Sequence, residues 1–474
     1  MARQDSGLER HMPGLSGHKI DIVRTLVEQA PDKIVGGLQT ALSAAAGDSA
    51  LADVRQLVEA EVADRRLRNA VLSPVAPLFV GDGRNPNKLT FPAKALPLIW
   101  RGLKTDHPVE VAAAARTMAD FRQDETPTDS LDRLVTLAAE GLRNQSTRDF
   151  IAAADVLDAT RPGCTYALVA CLDIGHIVRA ATFRLPDWIG RTTEERAAAA
   201  RLAYKDAISI ADDAAPRFFE MLAAQLAEPW TIMRVVSSVM DHPGERYLAA
   251  SELSVFALRL MDLIDQNLVH VAQFDLNAGT KAGVHAAEVV ELITRQVSEM
   301  EQGIELAAEG GWGGRVKKQK RQLAACVEGR LREVEKLLAA ALPTEGVKVG
   351  RMTKQQPRLG AAPDRKAREK VLAVLTFVEG IRTSANYGGF ASTRAKVLEK
   401  AAENLDLYVE DALTLVRERL TSDPDLAREH LEVAAECATL IREPRAGDII
   451  RRRASVAVDQ AKSQTPAPAE DIAD

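Results

Sequence analysis

The sequence predicts an all-α protein: an irregular multi-helix bundle that includes one long antiparallel αα-hairpin. Three observations carry this. Only 4% of the 474 residues are aromatic and alanine runs such as 197–200 recur, whereas sheets lean on aromatic and β-branched side chains. Apolar residues recur at helical spacing over long stretches, and no convincing strand run interrupts them. Proline follows a polar residue and precedes a carboxylate in Asp106-His107-Pro108-Val109-Glu110, in Asp241-His242-Pro243-Gly244-Glu245, in Thr126-Pro127-Thr128-Asp129 and in Ser422-Asp423-Pro424-Asp425. Proline fits a first helical turn, where its missing N–H has no partner to lose, and a carboxylate there meets the positive end of the helix dipole.

Taken in order, residues 1–72 read as N-terminal helices. Residues 73–97 carry Pro74, Pro77, Pro86, Pro92, Pro97 and Gly81-Asp82-Gly83, which predicts an ordered loop or a domain junction. Residues 98–283 form a central helical region, with one stripe through Leu253, Phe256, Leu260, Leu263, Ile264, Leu268, Val271 and Phe274. Asp106-His107-Pro108 suggests the start of a helical repeat. Its copy at 241–243 lies 135 residues on, however, not at a repeat period of about 40–47, so an irregular bundle is preferred.

Residues 284–342 are the predicted hairpin. One arm carries Val289, Ile293, Val297, Met300, Ile304 and Ala307, and the other carries Leu323, Val327, Leu331, Val334, Leu338 and Ala341. Gly310-Gly311-Trp312-Gly313-Gly314 lies between them as the tip, and the two arms are expected to close on each other along a coiled-coil seam. Residues 343–363, with three prolines and three glycines, read as a mobile linker. Residues 364–462 form a C-terminal bundle, with stripes at Val371, Val374, Leu375, Val378 and from Leu398 to Leu420. Residues 463–474 read as a disordered tail.

Function is far less legible. No apolar run is long enough for a membrane-spanning helix, and the first thirty residues are too charged for a secretory leader. Cys164, Cys171, Cys326 and Cys437 form no CxxC pair and suit reduced thiols, so a cytoplasmic setting is expected. There is no Gly-Lys dipeptide for a Walker loop, no HExxH and no Gly-x-Ser-x-Gly. Asp173 with His176 and His285 with Glu288 stand one helical turn apart, but neither pair matches the Glu-x-x-His pattern of carboxylate-bridged metal sites. No cofactor and no metal are therefore expected. The one weak metal alternative is a Mg²⁺ site for a diphosphate substrate at Asp212, Asp213, Asp262 and Asp265, because clustered carboxylates suit a hard cation.

Charge is the better clue. Residues 310–370 hold sixteen Lys and Arg against six Asp and Glu, a net of +10 in a chain whose net is −6. The favoured reading is a helical interaction or scaffold protein rather than an enzyme. Its predicted partner-binding residues are Trp312, Arg315, Lys317, Lys318, Lys320 and Arg321. Trp312 either presents an aromatic anchor at the tip or folds back on the adjoining turn. A protein partner leads; nucleic acid or an anionic surface bound by 310–370 is the alternative, as is pairing with acidic residues of the same chain. Self-association is compatible with the long apolar seams.

Overall fold

The structure, a computed structural model, describes residues 17–44, 51–85, 88–120, 128–190, 193–211, 213–240, 243–349 and 352–463. These form twenty-one α-helices and one two-stranded sheet, so the fold is all-α as the composition and periodicity predict. The expected tail falls almost wholly outside the described residues, which end at Ser463 in a helix. The chain divides into two compact units, Met1–Asp241 and His242–Asp474. The division lies inside the stretch 98–283, which the sequence presents as continuous.

The first unit contains α1 (Gly17–Gln29), α2 (Asp32–Ala44), α3 (Ala52–Val71), α4 (Ala95–Asp106), α5 (Pro108–Asp120), α6 (Thr128–Asn144), α7 (Arg148–Thr160), α8 (Cys164–Asp173), α9 (Gly175–Ile189), α10 (Glu194–Ile210), α11 (Ala214–Ala224) and α12 (Met233–Val239). Helix α5 starts at Pro108 and α6 at Thr128, where the proline signals place them. Of the segment 73–97, the described residues 73–85 and 88–94 connect α3 to α4 within this unit, and residues 95–97 already belong to α4, so the helix begins earlier than the proline count suggests. Phe79 and Phe91 meet in an isolated bridge with ring centroids 5.5 Å apart, and Phe91 is fully buried.

Arg179 of α9 is the buried anchor of this unit, only 4% exposed. It donates to the carbonyls of Ala70 (2.5 Å) and Val71 (2.6 Å), to Ser73 Oγ (2.8 Å) and to Asp132 (2.7 Å). The last carbonyls of α3 have no helical partner of their own, and a guanidinium supplies donors and a favourable charge together. No single helix among the described residues is long and apolar enough to cross a membrane. The bent pair α8–α9 (64°) has the composition, but its apolar face, including Leu168, Leu172, Val178 and Leu185, is core of this unit.

The second unit contains α13 (Glu245–Ala249), α14 (Ser254–Ala272), α15 (Thr280–Gly303), α16 (Gly311–Ala341), strands β1 (Thr344–Val349) and β2 (Met352–Pro357), then α17 (Arg365–Gly380), α18 (Ala385–Gly388), α19 (Ala391–Arg417), α20 (Pro424–Ile441) and α21 (Pro444–Ser463). The arms of the expected hairpin are α15 and α16, and both predicted stripes are buried up to Ile304 and Ala341. They do not close mainly on each other. Helix α15 packs chiefly on α17 and α14, while α16 packs on α17, α19 and α14. Helix α17 serves both, through Val371, Val374, Leu375 and Val378, all fully buried.

The segment expected to be a mobile linker instead carries the antiparallel pair β1–β2, from Thr344↔Pro357 to Val349↔Met352. Thr344, Val347, Val349 and Thr353 are β-branched and suit a pleated surface. The ribbon packs on α19, where Lys354 pairs with Asp411 at 3.1 Å. Beyond it, buried His430 of α20 donates from Nε2 to the Ala361 carbonyl (2.8 Å), and its Nδ1 meets Tyr408 Oη (3.3 Å). Asp423 caps α20 through the Asp425 N–H, as the Ser-Asp-Pro-Asp signal predicts.

Candidate functional site

The site with the most structure is built around the first turn of α16. After α15 ends at Gly303, the chain runs back along residues 243–245. Glu305 N–H donates to the Pro243 carbonyl (3.0 Å), and Glu245 N–H donates to the Glu305 carbonyl (3.1 Å). That bridge delivers the Glu245 carboxylate to the start of α16. There it accepts from the backbone N–H of Ala307 (2.8 Å), Trp312 (2.7 Å) and Gly313 (3.1 Å). A helix of 31 residues presents partial positive charge and unpaired N–H groups at this end, and a carboxylate satisfies both.

The glycines around Trp312 follow from this arrangement. A Cβ on Gly311 would overlap Glu245 Oε1, and one on Gly313 would overlap the Ala307 carbonyl; Gly311 also sits at φ +49°. The run Gly310–Gly314 is thus a socket for a remote carboxylate rather than a free tip. Trp312 belongs to the first helical turn and is half-buried.

Beside this socket lies a cavity of about 450 Å³, lined by Glu301, Ile304, Leu306, Gly313, Val316 and Lys317 among others. Lys320 reaches the lining residue Glu301 at 3.0 Å and lies 4.6 Å from the centroid of the Tyr387 ring. Tyr387 Oη also donates to Glu301, and burial together with that neighbouring carboxylate pushes the phenol well above its ordinary range. Lys317 Nζ donates to the Ala308 carbonyl, and Arg321 Nε donates to the Lys317 carbonyl (3.4 Å). Lys317, Lys318 and Arg321 are exposed and pair with no carboxylate among the described residues. Spaced by three and four, Lys318 and Lys317 share one helix face with Arg321.

The remaining predicted residues have other roles. Arg315 binds Asp262 (2.5 Å) and Asp265 (2.6 Å) of α14. Burial disfavours its charge, but the bonds to the two aspartates outweigh this and hold the guanidinium above its ordinary range. The second oxygen of Asp265 accepts from buried Gln319 at 2.7 Å. The aspartate pair read from the sequence as a magnesium candidate is therefore filled by a guanidinium and an amide of α16. Asp213 belongs to the first unit, where Arg217 binds it (2.6 Å) and holds its carboxyl below the ordinary range. Asp212 lies outside the described residues. Among the described residues, no group of three or more His, Cys, Asp or Glu is placed to hold a metal ion. Asp173 is bound by Arg143 (2.9 Å), and His285 stands 3.8 Å from Glu288 with both exposed.

The basic segment is not a single patch. At about 1.5 Å per helical residue, Arg321 stands roughly 30 Å along α16 from Leu342, where the chain leaves for the ribbon bearing Lys348, Lys354 and Arg358. Much of its charge is neutralised within the unit. Besides Arg315 and Lys320, Arg330 pairs with Glu333 and Arg368 with Glu436. Sequence reasoning missed Glu245 and Tyr387. Glu245 was visible as the carboxylate after Pro243, a local helix-start signal, but its reach to α16 leaves no trace in spacing.

No protein-family model, curated protein or solved structure matches this chain.

Proposed function

We propose that the second unit is a protein-interaction module and that the start of α16 receives an acidic segment of a partner protein. One observation carries the reading: Lys317, Lys318 and Arg321 are exposed on one helix face, without carboxylate partners among the described residues, beside a cavity of about 450 Å³. Ile304, Leu306 and Val316 give that cavity an apolar wall, so the fitting ligand is an acidic stretch bearing one aliphatic or aromatic side chain. Arg315 and Lys320, already paired with Asp262, Asp265 and Glu301, act as scaffolding for this face rather than as ligand contacts.

The test is affinity capture from native lysate with the wild type beside a Lys317→Glu, Lys318→Glu, Arg321→Glu variant, with and without nuclease. The expected result is a protein captured by wild type alone, in amounts that fall as salt rises, with the circular dichroism of the variant unchanged. Equal capture by both forms would remove the site. A difference that disappears with nuclease would transfer it to nucleic acid.

A further inference from the structure

The ligand that suits the start of α16, an acidic stretch bearing one aliphatic side chain, has a counterpart in the chain itself. Glu470-Asp471-Ile472-Ala473-Asp474 sets three carboxylates around a single isoleucine, and residues 464–474 contain no Lys or Arg. Resting on the site proposed above, we infer that its occupant is this acidic segment, residues 470–474, contributed by a second copy of the chain.

Charge and apolar content both favour this segment. Lys317, Lys318 and Arg321 offer cations without carboxylate partners among the described residues, and 470–474 supplies anions without an accompanying cation. The neighbouring cations Arg315 and Lys320 are already neutralised by Asp262, Asp265 and Glu301, which confines the demand for negative charge to that one face. Glu305, on the cavity lining, repels the segment and so directs its carboxylates towards α16. The apolar wall of Ile304, Leu306 and Val316 is met by Ile472. Residues 1–16 have no such match, since Arg3 and Arg10 offset Asp5 and Glu9.

Reach within the second unit decides that the segment comes from another copy. Thr393 of α19 meets Glu328 of α16 (3.4 Å) and Lys400 meets Glu335 (2.9 Å), so the two helices run side by side in the same direction. From Arg321 to the level of Arg417, where α19 ends, is then roughly 45 Å at about 1.5 Å per residue. Helix α21 ends at that level. Arg453 pairs with Glu410 (2.5 Å) towards the end of α19, and Lys462 pairs with Asp425 (2.7 Å) at the start of α20. The chain from Ser463 to Ile472 spans at most about 32 Å even when fully extended, too short to return to its own α16. A short charged segment holds such a contact weakly, and more weakly as salt rises.

The test uses the full chain carrying Glu470→Lys and Asp471→Lys, whose own segment cannot compete, and a fluorescein-labelled peptide of residues 464–474 followed by fluorescence anisotropy at low salt. The peptide is expected to bind, and to lose at least about tenfold in affinity when Lys317→Glu, Lys318→Glu and Arg321→Glu are added to the chain. Sedimentation equilibrium over roughly 10–300 µM should show wild type rising above 51.3 kDa while the Glu470→Lys, Asp471→Lys chain holds at that mass. Absence of peptide binding, equal binding by the chain with the three glutamates, or a constant monomer mass for wild type overturns the inference. In that event, lysate capture that still depends on Lys317, Lys318 and Arg321 keeps the site with a different acidic occupant, and capture that does not removes the site as well. Should the three glutamates reduce helix content, Lys317→Gln, Lys318→Gln and Arg321→Gln provide the same readout with a gentler change.

Discussion

Both units secure the end of a long helix with a charged side chain from far along the chain, and they do it with opposite signs. In the first unit Arg179 reaches back 108 residues to the last carbonyls of α3; in the second, Glu245 reaches forward 67 residues to the first N–H groups of α16. The helix dipole explains the signs, a cation at the carbonyl end and an anion at the amide end. Burial separates the two. Arg179 is almost fully enclosed, so it needs Asp132 as a counter-charge, whereas Glu245 is only half-buried and is held by backbone amides. The enclosed anchor is a structural necessity, while the surface one shapes the wall of a cavity.

The largest expected effect is at the enclosed anchor. Arg179→Met strands the Asp132 charge and frees two carbonyls, and should lower the unfolding free energy by about 3–5 kcal/mol in urea titrations. A loss below 1 kcal/mol would mean that water enters and replaces the guanidinium. At the surface anchor, Glu245→Ala should be milder, about 1–3 kcal/mol, because the three amides it leaves can be solvated. Glu245→Gln keeps an acceptor but removes the charge, for roughly 0.3–1 kcal/mol. Since Gly311 is bare to admit Glu245, Gly311→Ala should destabilise by about 1–2 kcal/mol. Its effect should also be non-additive with Glu245→Ala in a double-mutant cycle. Additivity would show that the left-handed backbone, and not the carboxylate, requires the glycine.

The finest comparison uses the native thiols. Burial pushes Cys171 up to about 12 and also raises Cys164 and Cys326. Cys326 is half-buried and the others are fully enclosed, so a thiol reagent at neutral pH should label Cys326 first. Arg179→Met should quicken the labelling of Cys171 in its own unit, while Glu245→Gln should leave it unchanged. Equal quickening by both would sink the distinction between a core anchor and a surface one.

Local signals were read where their physics is local. Proline at a first turn marked α5, and Asp423 as a cap marked α20, because steric and capping preferences act within four residues. The ribbon at 344–357 escaped because prolines and glycines at its borders outweighed short β-branched runs, and pairing two six-residue strands is a contact between segments. For the candidate site, the basic residues from Arg315 to Arg321 were legible from charge density alone. Which of them are open to a partner was not, since Asp262, Asp265 and Glu301 reach them from other helices.

What the sequence by itself determined was the helical class, the starts of a few helices marked by proline and the apolar stripes of a handful more, down to those of α15 and α16. A period of 3.6 residues states the angle at which apolar side chains leave a helix, and carries no record of what meets them. Only the tertiary structure decided that those two stripes close chiefly on α14 and α17 and, for α16, on α19. Only the tertiary structure brought a carboxylate from residue 245 into the glycine run before Val316. Both outcomes depend on packing and charge between segments brought together by folding, where the choice of partner rests on shape and electrostatics that no single stretch of chain contains.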